Sequence, residues 1–192
     1  QCTNIDAVLA AIRETDDKYK YSVAWVDCIA KGAKLGRSVL MSGDHIAAND
    51  LPSQYGHALS IPHKSKKNVP VNLPGFLLNP LSIGAFNKLF YAVHPSKQGQ
   101  ITDYDKYFYP LDAIHNWNRG YGKNGFAQYQ ATFPQAGVEG LVKLLEKLSA
   151  SGRASFLAVL KRMGPGSKGL LSHPIDGWTL TLDIPVKDGI VQ

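Results

Sequence analysis

A chain of 192 residues, 44% apolar and 19% charged, is long enough to bury one core without disulfides and too apolar to be a disordered tail. Cys2 and Cys28 are too few for a disulfide scaffold, and no Cys/His group has zinc-ligand spacing. The net charge of +6 points to an anionic partner or neighbour and says nothing of the fold.

Asn4 is placed to cap a helix whose apolar residues Ile5, Val8, Leu9 and Ile12 recur at i, i+3, i+4 and i+7. Alternation of Tyr21, Val23 and Trp25 predicts a strand over residues 20–27, followed by Cys28 as a small buried hydrophobe. A Gly-containing turn (31–36) leads to a second strand, 37–42, its expected neighbour. From 43 to 80 no period survives, and Pro52, Pro62, Pro70, Pro74 and Pro80 punctuate a long loop. Its length predicts a cover over a binding site or a segment near a membrane.

Residues 81–94 predict a helix with Ile83, Phe86, Leu89, Phe90 and Val93 on one face. Residues 100–109 read as strand, 110–119 as a turn or short helix, and 126–133 as strand after Gly120, Gly122 and Gly125. An amphipathic helix over 135–151 (Val138, Leu141, Val142, Leu145, Leu148) closes at Gly152. Strands at 154–163 and 178–184 flank a loop at 164–171. The fold class expected is α+β, an antiparallel β-sheet with helices packed on one face.

Generic motifs name no reaction. Gly120-Tyr-Gly122-Lys-Asn-Gly125 has the wrong spacing for a dinucleotide loop and precedes a strand where that loop needs a helix. The six histidines form no ligand pair, so no metal is expected. Lys64, Lys66 and Lys67 predict attraction to a phosphate or a peripheral contact with an anionic membrane. No recognition motif supports nucleic-acid binding.

Ordered segments carry more. They are Tyr19-Lys-Tyr-Ser-Val-Ala-Trp25-Val-Asp27, Lys31-Gly-Ala-Lys-Leu-Gly36-Arg37, Ser42-Gly-Asp-His45 and Phe108-Tyr-Pro-Leu-Asp112. Trp117-Asn-Arg119, Gly125-Phe-Ala-Gln128-Tyr-Gln130, Ser155-Phe-Leu-Ala-Val-Leu-Lys161, Pro174-Ile-Asp-Gly-Trp178 and Asp183-Ile-Pro-Val-Lys-Asp-Gly189 follow. Together they resemble the substrate domain of the decaprenylphosphoryl-β-D-ribose 2′-oxidase family, FAD-linked oxidoreductases of the vanillyl-alcohol-oxidase type.

The resemblance implies that residues 1–192 are a substrate-binding (cap) domain, both ends being cuts through a longer protein. A separate FAD-binding domain, absent from this sequence, would hold the flavin, and the fragment alone would be inactive. Carried over by position, the pocket residues are Trp25, Gln128, Gln130, Lys161, Thr179 and Thr181. The residues agree in part, since Gln128 and Gln130 lie two apart and so share one face of a strand. Trp25 by itself reads equally as core, and Lys161 as a lysine reaching outward. Thr181 stands where family members carry Cys, and Thr179 where Asn is common, which leaves the substrate more open than the reaction.

That reaction would pass hydride from a carbinol C–H to the flavin and turn a secondary hydroxyl of a lipid-phosphate-linked sugar into a ketone. The base would come from the FAD domain, so no catalytic residue is assigned here. An aldonolactone or alditol oxidase of the same superfamily is the nearest alternative, and a non-enzymatic anion-binding domain the more distant one. The expected location is cytoplasmic or peripheral at the inner membrane.

Overall fold

Asn4 accepts the backbone N–H of Ala7 at 2.9 Å and starts α1 (Ile5–Thr15), which buries the stripe Ile5, Val8, Leu9 and Ile12. In this computed structural model, which describes residues 1–57, 59, 65–152 and 157–186, that stripe lies on an antiparallel five-stranded sheet. The strands are β1 (Tyr21–Val26), β2 (Ser38–Gly43), β5 (Phe126–Pro134), β6 (Ala158–Met163) and β7 (Gly177–Pro185), in the order β2-β1-β6-β7-β5. Residues 154–156 of the strand expected over 154–163, and Lys64, lie outside the described residues.

Alternation divides the sheet into two faces. Ala24, Val26, Ala158, Leu160, Trp178, Leu180 and Leu182 pack against α1 and against Leu141 and Leu145 of α4 (Val138–Ser151). Gly152 ends α4 in the left-handed region at φ 66°, as its glycine predicts. This is the expected α+β layer pair, with β1 and β2 hydrogen-bonded neighbours. The indole of Trp178 is fully buried and has guanidinium groups of Arg13 and Arg162 each 5.6 Å from its ring centroid.

The opposite face carries Trp25, Val159, Thr179, Thr181, Asp183, Gln128 and Gln130, and α2 (Pro80–Val93) covers one end of it. Phe90 packs 4.6 Å from the Trp25 ring, and Asn87 donates to the buried Asp27 carboxylate at 2.7 Å. Ile83 and Asn87 are the buried positions of α2, whereas Phe86, Leu89 and Val93 are exposed. The predicted apolar face of this helix is therefore corrected. The helix is apolar on most sides, and the polar demand of Asp27 decides which side turns inward.

A second correction concerns residues 100–109. Their aromatic residues suggest strand, but Asp103 accepts the N–H of Lys106 at 3.3 Å and nucleates the short helix α3 (Tyr104–Phe108). Between β2 and α2 the chain forms single 3₁₀ turns and a two-residue strand β3 (Lys67–Asn68), parallel to β4 (Ile114–His115).

Two expectations follow from the packing. A Cβ on Gly177 would sit 2.0 Å from the carbonyl oxygen of Phe133, in the β5–β7 pairing where no side chain can yield. Gly177→Ala is expected to cost about 3 kcal/mol, a fall in Tm of roughly 6–12 °C by calorimetry. Burial pushes the Cys28 thiol up to about 12, with the Asp27 carboxylate adding to the shift. A thiol-specific reagent at pH 8 is expected to label Cys28 only after denaturation. Because the folded thiol ionises above its ordinary value of 9.0, its contribution is full below that pH and is lost as pH rises toward 12. Replacing Cys28 by Ala is expected to flatten that alkaline decline in a stability-versus-pH series.

Candidate recognition face

The floor of the candidate site is the middle of the sheet face turned away from α1 and α4. Cross-strand register sets Gln130 opposite Thr181, Thr181 opposite Val159 and Val159 opposite Trp25. One row thus crosses four strands, roughly 14 Å at the usual strand spacing. In the next row Thr132 faces Thr179 and Thr179 faces Lys161. All six residues expected at the pocket lie on this face.

They are not equivalent there. Gln128, Gln130 and Lys161 are exposed, and Thr181 is half-buried. Thr179 and Trp25 are buried at 2% and 5% exposure. Trp25 lies beneath Phe90 of α2, so its ring offers no open face in this arrangement. Its position supports α2, and contact with a ligand would need the helix to move.

The two glutamines are held in a defined sense. Gln128 donates from Nε2 to Oδ1 of Asp183 at 3.1 Å, and a carboxylate can only accept. Gln130 donates from Nε2 to the hydroxyl oxygen of Thr179 at 3.0 Å. Thr179 gives its own proton to the Ala131 carbonyl at 3.3 Å, so toward Gln130 it can only accept. Each amide therefore turns its nitrogen to the floor and leaves Oε1 as its outward group. Two outward acceptors beside an exposed ammonium, that of Lys161, suit a ligand that donates hydroxyl hydrogens and carries negative charge.

Asp183 is the residue that sequence patterning missed. Its carboxylate is 1% exposed and accepts from the Tyr121 hydroxyl at 3.0 Å as well as from Gln128. Tyr121 is fixed in turn by rings of Phe126 and Trp117, with centroids 4.4 and 6.2 Å away. The available signal was a carboxylate in phase with Thr179 and Thr181 on an otherwise apolar strand.

Aromatic groups close the other end of the face. Tyr21 meets Phe108 edge-on at 4.9 Å, and the Tyr107 hydroxyl donates to carbonyls of Tyr21 and Met41 at 3.3 Å. Concavity is shallow on this side: a groove of about 180 Å³ lies between Leu73, Ser82, Ile83, Phe86 and Gly120. The larger hollow, about 450 Å³, is on the helix side between α1 and α4, where Asp6, Glu139 and Glu146 face Arg13 and Lys143. It is remote from all six residues. Among the described residues no group of His, Cys, Asp and Glu is arranged to hold a metal ion.

No protein-family model matches the chain. Among curated proteins, the decaprenylphosphoryl-beta-D-ribose oxidase of Mycolicibacterium smegmatis is 33% identical over 177 residues, 92% of this chain. The chain is a relative of one part of that oxidase. It spans only 38% of the oxidase's length, as a partial domain would. A Streptomyces coelicolor protein described as an uncharacterized protein in the mprA 5' region is 26% identical over 197 residues. That match takes in 97% of this chain and 53% of the Streptomyces protein. The similarity to the oxidase supports an oxidoreductase-related domain. The ordered motifs and the antiparallel sheet agree with it.

Proposed function

We propose that the chain is the substrate-binding lobe of an FAD-dependent oxidoreductase that converts a secondary hydroxyl of a lipid-phosphate-linked sugar to a ketone. The observation that carries this reading is the fixed orientation of Gln128 and Gln130, whose nitrogens each donate one proton, to Asp183 and to Thr179. A polyol donates hydroxyl hydrogens to the oxygens left facing outward, and Lys161 stands where a phosphate or polarised hydroxyl can meet it. The relative named for oxidising decaprenylphosphoryl-ribose supports the substrate class.

The glycine-rich turn of this chain does not fit the diphosphate of FAD. In the Gly120–Gly125 stretch a Cβ on Gly122 would lie 2.9 Å from the Leu73 carbonyl, so the chain itself fills the turn that a phosphate would need. In this reading a neighbouring domain holds the cofactor. The part played by this chain is to bind the sugar, fix which hydroxyl is presented, and exclude water from above the sheet.

The test is kinetic, in the full-length flavoprotein. Gln130→Ala and Lys161→Ala are each expected to lower kcat/KM on a polyprenyl-phosphoryl pentose about 10- to 100-fold, with folding unchanged because both side chains are exposed. Turnover of aldonolactones alone would overturn the substrate assignment, and wild-type kinetics in both variants would overturn the site.

A further inference from the structure

The chain from Leu51 to Thr102 contains no Asp or Glu, yet it carries Lys64, Lys66, Lys67, Lys88 and Lys97. Over the same stretch large apolar side chains face solvent: Leu59 at 90% exposure, Leu81 at 86%, Phe76 at 75%, Val71 at 64% and Leu89 at 63%. Residues 147–175 also lack a carboxylate and expose Leu170 and Leu171, but the stretch from Leu51 to Thr102 is the longer and exposes more large apolar side chains.

The fold brings residues 69–83 of this stretch together. Val69 donates to the His115 carbonyl at 3.0 Å and Leu73 to the Arg119 carbonyl at 2.9 Å, so the strip after β3 runs along the β4 turn toward α2. Leu73 then lines a groove together with Ser82, Ile83 and Phe86 of α2. Asn79 caps α2, accepting from Leu81 at 2.9 Å and Ser82 at 3.1 Å, which fixes Phe76 and Leu77 at the mouth of the helix. With Ile83 and Asn87 turned inward, the outward arc of α2 is Leu81, Ala85, Phe86, Leu89, Ala92 and Val93. Lys88 lies two turns beyond Leu81 on the same side.

We infer that the outward face of α2 and the lysine-bearing strip beside it form a docking surface for an anionic lipid bilayer. An apolar face inserts between acyl chains and headgroups, and flanking lysines meet the lipid phosphates. Interfaces between folded protein surfaces are depleted in lysine, and buried ammonium groups there need carboxylates, which residues 51–102 do not contain. The exposed leucines stand out from the helix instead of lining a hollow. No described helix is long and apolar enough to cross a membrane, and the contact inferred is a peripheral one. Because α2 sits on the recognition side of the sheet, docking would bring that face beside the headgroups. The inference rests on exposure and charge, and stands or falls separately from the reaction proposed above.

The experiment is co-sedimentation of the full-length protein with phosphatidylcholine vesicles, with and without about 30% phosphatidylglycerol. Binding is expected only with the anionic lipid, and to weaken as salt rises. Lys66→Gln/Lys67→Gln/Lys88→Gln is expected to weaken it roughly a hundredfold, about fivefold for each charge. Phe76→Ser/Leu81→Ser/Leu89→Ser changes only exposed positions and is expected to abolish it while leaving Tm and flavin content unchanged. Absence of wild-type binding, or equal binding by either variant, would overturn the proposal. So would loss of flavin or of Tm in the serine variant, which would show that the rest of the same protein covers the face.

Discussion

Asp27→Ala is expected to lower stability by about 3–5 kcal/mol, read as a fall in the denaturant midpoint at constant slope. The carboxylate is 2% exposed and holds three donors: Arg37 at 2.5 Å, the Asn87 amide at 2.7 Å and the backbone N–H of Ile29 at 3.3 Å. Removing it leaves a guanidinium whose side chain is 14% exposed without its counter-charge. The buried Asn87 amide, whose oxygen already has no partner among the described residues, loses its acceptor as well. The loss is also mechanical. Arg37 stacks 4.8 Å from the Tyr91 ring and Phe90 rests on Trp25, so Asp27 is the polar tie between α2 and the sheet. Asp27→Asn keeps the volume and one acceptor and is expected to cost about half as much. A change below about 1 kcal/mol for Asp27→Ala would show the tie to be dispensable.

Asp183→Ala combines a structural cost with a functional one. It removes the carboxylate that accepts from the Tyr121 hydroxyl and frees the Gln128 amide to rotate. A stability loss of about 2–4 kcal/mol is expected from the charged hydrogen bonds and the buried donor left behind. In the full-length enzyme KM is expected to rise at least tenfold with a smaller change in kcat, since what fails is ground-state orientation. Two variants separate the parts. Tyr121→Phe is expected to cost about 1.5 kcal/mol of stability with little change in KM. Gln128→Ala should raise KM and, by taking one donor from a buried carboxylate, cost about 1 kcal/mol of stability. A wild-type KM in Asp183→Ala would remove Asp183 from the recognition machinery.

The sheet and its two covering helices were legible because their periods are unambiguous. The stripes of α1 and α4 each admit one buried face, and the alternation of β5 and β7 marks them as strands. Periodicity fails where it has nothing to select. In α2 nearly every side is apolar, so the orientation is chosen by one hydrogen bond, Asn87 to Asp27, between residues 60 apart in sequence. At 104–108 aromatic residues suggested strand, and a single aspartate cap prevailed over that propensity. The six pocket residues came from resemblance, and their common face follows from register alone. Asp183 stayed hidden because a carboxylate inside a strand declares its role only through the partners the fold brings to it.

Thr179 acts on Gln130 as a polarity lock. Its hydroxyl proton is committed to the Ala131 carbonyl, so it can present only a lone pair, and Gln130 must answer with its nitrogen. An asparagine at that position would offer a lone pair and a proton together, and the glutamine could then settle with either end outward. One buried substitution, touching no ligand, would convert a surface that reads hydroxyl donors into one that also reads acceptors. Ligand preference on this face can thus drift from beneath the floor while the residues above it stay the same.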